Sequence, residues 1–145
     1  MWWKLRPHPR LGTVEIRALD AQSCVADTAA LVALAHCLAR DAAQREEVPE
    51  LPVELLDEAV LRAARFGTQA ALPEADGRLR PLVDLLAQAT AAARPHADEL
   101  GCTAELEALP RLFERGGGAG REREIHEIAE MDALLRGLTE LTAQG

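Results

Sequence analysis

Nowhere in the 145 residues is there a run of eighteen uncharged apolar residues, so no membrane-spanning helix is expected. Basic side chains are also scarce, with 16 Lys and Arg against 24 Asp and Glu. A formal charge of −8 disfavours nucleic acid as a partner, because its phosphates need a neutralising basic surface. Cysteine is sparse too. Cys24, Cys37 and Cys102 are odd in number and widely spaced, which argues against a disulfide framework or a Cys-x-x-Cys metal knuckle. They read as unremarkable buried or surface thiols. The histidines at 8, 36, 96 and 126 form no close pair of metal-ligand spacing, and His36, beside an apolar helix stripe, reads as a core or boundary residue. The glycines from Gly116 to Gly120 lack the Lys-Ser/Thr of a P-loop and follow a helix, which favours a flexible interhelical linker over a phosphate cradle. Arg121 to Glu124, just after them, reads as a solvated first turn. The opening residues are too polar and proline-interrupted for a secretory signal, so a cytoplasmic setting is expected.

A hydrophobic content of 48% over this length suits one globular domain, residues 1–145, with a strand segment at 1–22 and a helical region at 23–145. The pattern predicts an α+β fold: one or two N-terminal antiparallel strands, then a bundle of about four to five helices. Pro7 and Pro9 force an extended or turning entry around His8, and Gly12 leads into a strand from Thr13 to Leu19. A helix from about Val25 to Arg40 carries Leu31, Leu34, Ala35 and Leu38 on one face, with Asp27 in its first turn. Pro49 and Pro52 break the chain before a helix from Val53 to Phe66, which Gly67 terminates. Residues 68–80 read as a loop or short hairpin. Pro81 opens a helix through about Ala93. Another runs from Thr103 to Phe113, limited by Pro110. A last amphipathic helix spans about Ala119 to Thr142, with Ile125, Ile128, Leu135 and Leu138 as its stripe.

The most informative stretch is Thr13 to Asp20. Strand side chains alternate faces, so Glu15 and Arg17 share a face with Thr13, while Val14, Ile16 and Ala18 take the other. A carboxylate suited to a hard cation beside a guanidinium suited to phosphate oxygen is what a magnesium-nucleotide site requires. By pattern alone, a cross-strand ion pair on a solvated face explains the two residues as well, and would contribute under about 1 kcal/mol.

Read with its flanks, Trp2 to Gln22 gives W-W-x-x-R-P-H-P-R-L-G-T-V-E-I-R-A-L-D-A-Q. This closely resembles the late active-site segment of carboxylate-amine ligases of the glutamate-cysteine ligase 2 type, with Arg6, Pro7, Gly12, Thr13, Glu15, Arg17 and Asp20 in step. The shorter V-E-I-R-A-L-D is similar to a strand of the proteobacterial glutamate-cysteine ligases. Asp27 to Leu31 and Arg62 to Gly67 resemble later family elements, and Gly77 to Leu82 and Gly116 to Arg123 are looser echoes. The chain departs from the family at Glu58-Ala59-Val60-Leu61, where relatives typically read E-N-R-W, and this puts the substrate side of that helix in doubt.

The resemblance implies the C-terminal portion of a glutamine-synthetase-like catalytic fold, using ATP and Mg2+ to join the γ-carboxylate of glutamate to cysteine or another amine. In that scheme Glu15 is a magnesium ligand, Arg17 is the catalytic charge on the transferring phosphoryl group, and Arg6, His8 and Arg65 are ATP or substrate contacts. Family polypeptides are longer at the N-terminal side, so the resemblance implies a fragment inactive alone, completed by an N-terminal partner chain or a homo-oligomer. Two other classes stay open: a non-catalytic remnant, and a helical interaction subunit.

Overall fold

The computed structural model describes residues 4–47, 50–128 and 131–143. Trp2, Trp3 and Pro49, singled out in the sequence, lie outside the described residues, as does the side chain of Ile128.

The chain opens as a hairpin of β1 (Leu5–His8) and β2 (Thr13–Ile16), paired antiparallel with Arg6 opposite Glu15 and His8 opposite Thr13. Gly12 at φ 63° supplies the left-handed residue that closes the turn. β2 ends at Ile16, three residues before the predicted Leu19, although Arg17 N–H still donates to the Lys4 carbonyl at 2.7 Å.

Helices α1 (Val25–Ala43) and α2 (Val53–Phe66) follow. α2 begins after Pro52 and stops at Gly67, whose φ of 56° ends the helix as expected. Residues 68–80 contain the hairpin option: β3 (Ala71–Pro73) pairs antiparallel with β4 (Leu79–Pro81), with Gly77 and an Asp76 carboxylate accepting the Arg78 N–H in the turn. Pro81 then opens α3 (Leu82–Ala97), four residues longer than predicted. Pro95 falls in the last turn of α3, where its missing N–H deprives the Ala91 carbonyl of its helical donor.

Two expected helices each divide, and this raises the number above four to five while the α+β class stands. Thr103–Phe113 becomes α4 (Thr103–Glu107) and α5 (Leu109–Glu114). Pro110 does not limit a helix there. It starts one, since the first turn has no use for its missing N–H. The single helix expected over 119–142 is α6 (Gly117–Ile128) and α7 (Met131–Ala143). A Cβ at Gly137 would lie 3.5 Å from Ile125 Cγ2. Twelve residues of one straight helix would separate those positions by about 18 Å, so α7 doubles back on α6.

The core joins α1, α3, α4 and α5 through Ala30, Ala33, Cys37, Ala93, Ala97, Leu106 and Leu109. Small side chains on the facing sides of α1 and α3 let the two backbones approach, while Leu31, Leu34 and Leu38 flank the seam. The centre of the buried stripe is thus alanine and cysteine, one position away from the leucines. His36, expected at the core or boundary, is exposed. The partly analogous His96 is the buried one, with Nε2 3.6 Å from Asp41 Oδ1.

The glycine run is neither a linker nor a cradle. Gly118 faces Gln22, whose Oε1 would lie 2.8 Å from an added Cβ, and a Cβ at Gly120 would overlap the Arg115 carbonyl. Arg121, expected in a solvated turn, is only 18% exposed and reaches Asp27 Oδ2 at 3.3 Å. In an ordinary helix Gly→Ala stabilises by about 1 kcal/mol. Here Gly120→Ala is expected to reverse sign and destabilise by about 1–3 kcal/mol through the backbone overlap, read as a lower urea midpoint at unchanged slope.

Candidate functional site

The hairpin register decides the site. Because Arg6 stands opposite Glu15 and His8 opposite Thr13, the alternation of both strands puts Arg6, His8, Glu15 and Arg17 on one face. Arg6 donates to Glu15 Oε2 through Nε at 2.8 Å, with Nη2 2.7 Å from the same oxygen. His8 Nε2 lies 3.5 Å from the same oxygen, and Arg17 Nε lies 3.7 Å from Oε1. Four of the five residues singled out in the sequence therefore come together, with Arg6, His8 and Arg17 around the Glu15 carboxylate. Arg65 is not among them: at the far end of α2 its guanidinium stacks over Phe66, 5.4 Å from the ring centroid. Lys4 bonds Asp57 at 2.8 Å and the Leu56 carbonyl at 3.2 Å, anchoring the hairpin to the first half of that helix. Arg62, on the same helix, is held by Glu58 at 2.6 Å, so the pair brackets Ala59-Val60-Leu61, where the chain departs from the family pattern.

Charge on this face runs against that of the whole chain. Two guanidinium groups around one carboxylate leave a local positive surplus in a protein of net charge −8. Half-exposed ion pairs of this kind contribute about 0–1 kcal/mol each, too little for stability to explain the cluster. An anion brought to this face meets a favourable field. Desolvation works to raise the Glu15 carboxyl, but the Arg6 hydrogen bond, the charges of Arg6 and Arg17 and the His8 contact outweigh it and hold the group below its usual 4.5. A depressed folded-state value means the cluster's contribution is present above the ordinary carboxylate range and is lost as pH falls through the lowered value. Carbon-detected NMR titration of Glu15 should therefore give a midpoint under 4.5, moving upward in Arg6→Ala.

The opposite face of the hairpin is apolar and uncovered: Leu5, Val14 and Ile16 are 55%, 59% and 42% exposed. An isolated two-stranded ribbon with a bare apolar face is marginal in water. α2 buries none of its own side chains and likewise leaves Val53, Val60, Leu61 and Phe66 exposed.

Magnesium takes oxygen ligands in an octahedron, commonly one or two carboxylates with water and substrate phosphates. Glu15 has the chemistry of one such ligand, and it is here engaged by Arg6, His8 and Arg17. No group of three His, Cys, Asp or Glu able to cage a metal occurs among the described residues. A cleft of about 600 Å³ between α3 and α5, lined by Val83, Leu86, Arg94 and Phe113, shares no residue with the hairpin.

Sequence reasoning missed one cluster. Asp27 is 8% exposed and is clamped between Arg115 Nη2 at 3.0 Å and Arg121 Nη1 at 3.3 Å. The available signal was an acid in the first turn of α1 and an arginine on either side of the glycine run. Among the described helices, none is long and apolar enough to cross a membrane.

The hairpin lies within a stretch that resembles other proteins. The model of glutamate-cysteine ligase family 2 matches residues 1–140. Two proteins of Rubrobacter xylanophilus, named "Putative glutamate--cysteine ligase 2-1" and 2-3, are 40% and 45% identical over 129 and 135 residues, covering 87% and 86% of this chain. A similarly named protein of Mycolicibacterium smegmatis is 38% identical over 139 residues, covering 92% of the chain. The chain spans about a third of the length of these relatives, at 34%, 34% and 36%. With nearly every residue inside the matched region, the chain belongs to glutamate-cysteine ligase family 2.

Proposed function

We propose that this chain is the C-terminal portion of an ATP-dependent carboxylate-amine ligase and that it supplies one wall of the active site. The observation that carries the reading is the convergence of Arg6, His8 and Arg17 on Glu15, on the one exposed face of the hairpin with a surplus of positive charge. In the proposed reaction the γ-carboxylate of glutamate takes the γ-phosphoryl group of ATP, and the resulting acyl phosphate is attacked by the amine of cysteine or another amino compound. ADP, phosphate and a γ-glutamyl amide leave. Phosphoryl transfer asks mainly for positioning and charge stabilisation, so the chemistry needs no side-chain nucleophile.

Each residue has a share. Arg17 neutralises charge on the transferring group, Arg6 binds a phosphate or carboxylate oxygen while fixing Glu15, and His8 donates to a substrate oxygen at the edge of the same face. Glu15 is one Mg2+ ligand, and bound magnesium would screen the phosphate charges. The remaining ligands and most nucleotide contacts come from the part of the family's length that this chain does not span, joined covalently or supplied by a partner chain. Arg65 stays outside this wall. A cytoplasmic setting agrees with a reaction that consumes ATP.

The bare apolar faces of the hairpin and α2 support the need for a second body, and they equally suit a non-catalytic remnant bound to a partner. The test is phosphate release with ATP, magnesium, glutamate and cysteine, run with this chain alone and with the chain fused behind the N-terminal two-thirds of the Rubrobacter relative. Silence alone and turnover in the fusion is the expected result. Silence in a folded fusion favours the remnant.

A further inference from the structure

Cys37 and Cys102 stand 65 positions apart in sequence, yet their sulfurs meet at 3.6 Å. Cys37 is fully buried on α1, among Ala30, Ala33, Ala93 and Ala97. Cys102 is half-buried at the entry to α4, after Gly101 at φ 67°, where its N–H bonds the Ala97 carbonyl at 2.9 Å. Both thiols are free. A disulfide requires sulfurs about 2.05 Å apart, so the pair lies within a short approach of bonding. The moving side can be α4, which has only five residues.

We propose that Cys37 and Cys102 are a modification site: a low-molecular-weight disulfide converts them to an intrachain disulfide that fastens α1 to the turn between α3 and α4. Cys102 reacts first, because it is the accessible member. Its thiol loses a proton, and the thiolate attacks one sulfur of the small disulfide. That S–S bond breaks, one small thiolate leaves and takes up the proton, and Cys102 is left in a mixed disulfide. Cys37 then deprotonates and attacks the Cys102 sulfur, releasing the second small thiol. Two protein thiols are oxidised and one small disulfide is reduced to two thiols.

Burial, followed by the neighbouring Cys102 sulfur, pushes the Cys37 thiol up to about 11. This makes Cys37 a poor partner for reagents in solution while leaving it placed for the intramolecular step, where proximity replaces thiolate concentration.

Cys24 is a built-in contrast. Its thiol is lowered, first by the Asp27 N–H and then by the Ala26 N–H and Arg121, against the raising effects of desolvation and the Asp27 charge. It caps the start of α1, thirteen residues before Cys37 and about 20 Å away along the helix, so it cannot resolve onto that sulfur. It should accept a mixed disulfide and stop there.

The experiment is incubation of the full chain, and of Cys24→Ser, with oxidised glutathione, followed by acid quench, mass spectrometry and unreduced peptide mapping. Cys24→Ser is expected to become lighter by two hydrogens and to yield a Cys37–Cys102 cross-linked peptide. Its thermal midpoint should rise by about 5 °C or more, because the bond closes a long loop in the unfolded chain, and Cys102→Ser and Cys37→Ala should show no rise. Adducts on Cys24 and Cys102 with Cys37 still alkylable after unfolding overturn the proposal. So does a cross-link that forms only in denaturant, or a midpoint that oxidation leaves unchanged.

Discussion

Arg17→Ala, placed in the fused ligase, is expected to cut ATP-dependent phosphate release by about a thousand-fold, the lower end of what a charge-neutralising arginine supplies in phosphoryl transfer. The expectation rests on where Arg17 projects. It shares the face of Arg6 and Glu15, with Nε 3.7 Å from the Glu15 oxygen that Arg6 leaves less engaged. Arg17→Lys keeps a positive charge and loses the planar fork, so it should fall between the parent and Arg17→Ala. The readout that separates chemistry from structure is a comparison of urea midpoints. A half-exposed pair of this kind contributes under about 1 kcal/mol, so the midpoint should move little while turnover collapses. If turnover survives in Arg17→Ala, or falls only in step with stability, Arg17 has no share in the reaction. Glu15→Gln should reduce turnover too, and raising the magnesium concentration should recover part of it.

The second large effect is on stability, at Asp27. Asp27→Ala removes the acid from between Arg115 and Arg121 and leaves the 18%-exposed Arg121 side chain without its counter-ion. Removing one member of a buried pair costs about 3–5 kcal/mol. The lower end applies here, since Arg115 is 45% exposed and solvent screens its half of the cluster. About 3 kcal/mol is a large share of the 5–15 kcal/mol that holds a typical domain together. Chemical denaturation of Asp27→Ala against the parent chain measures it. The double variant Asp27→Leu/Arg121→Met, which removes both charges and fills their space, should recover most of the loss. A single variant as stable as the parent would show that the clamp contributes nothing.

Local patterning made the element order legible. Proline and glycine act on the backbone directly, so Pro52, Gly67 and Pro81 marked the ends of α2 and the start of α3 without reference to anything distant. The same holds for the face shared by Glu15 and Arg17, because strand alternation is a property of the backbone. The division of the last two helices was not legible in this way. Ala108 ends α4 and α7 folds back on α6 because Leu109 and Leu112 enter the core and Gly137 admits Ile125, and those gains come from residues remote in sequence. His36 and Arg121 were misplaced for one reason: periodicity says which residues share a face, not which face meets the core.

The sequence by itself determined the α+β class, the strand that carries Glu15 and leads into Arg17, and the family, because all three depend on order and spacing along the chain. Only the tertiary structure decided that Arg6 and His8 join that pair, since hairpin register sets which side chains stand opposite. It also decided that Asp27 is clamped by arginines from the other end of the chain, and that Cys37 meets Cys102. Contacts between residues far apart in sequence come from packing, and packing leaves no periodic trace in the chain that makes it.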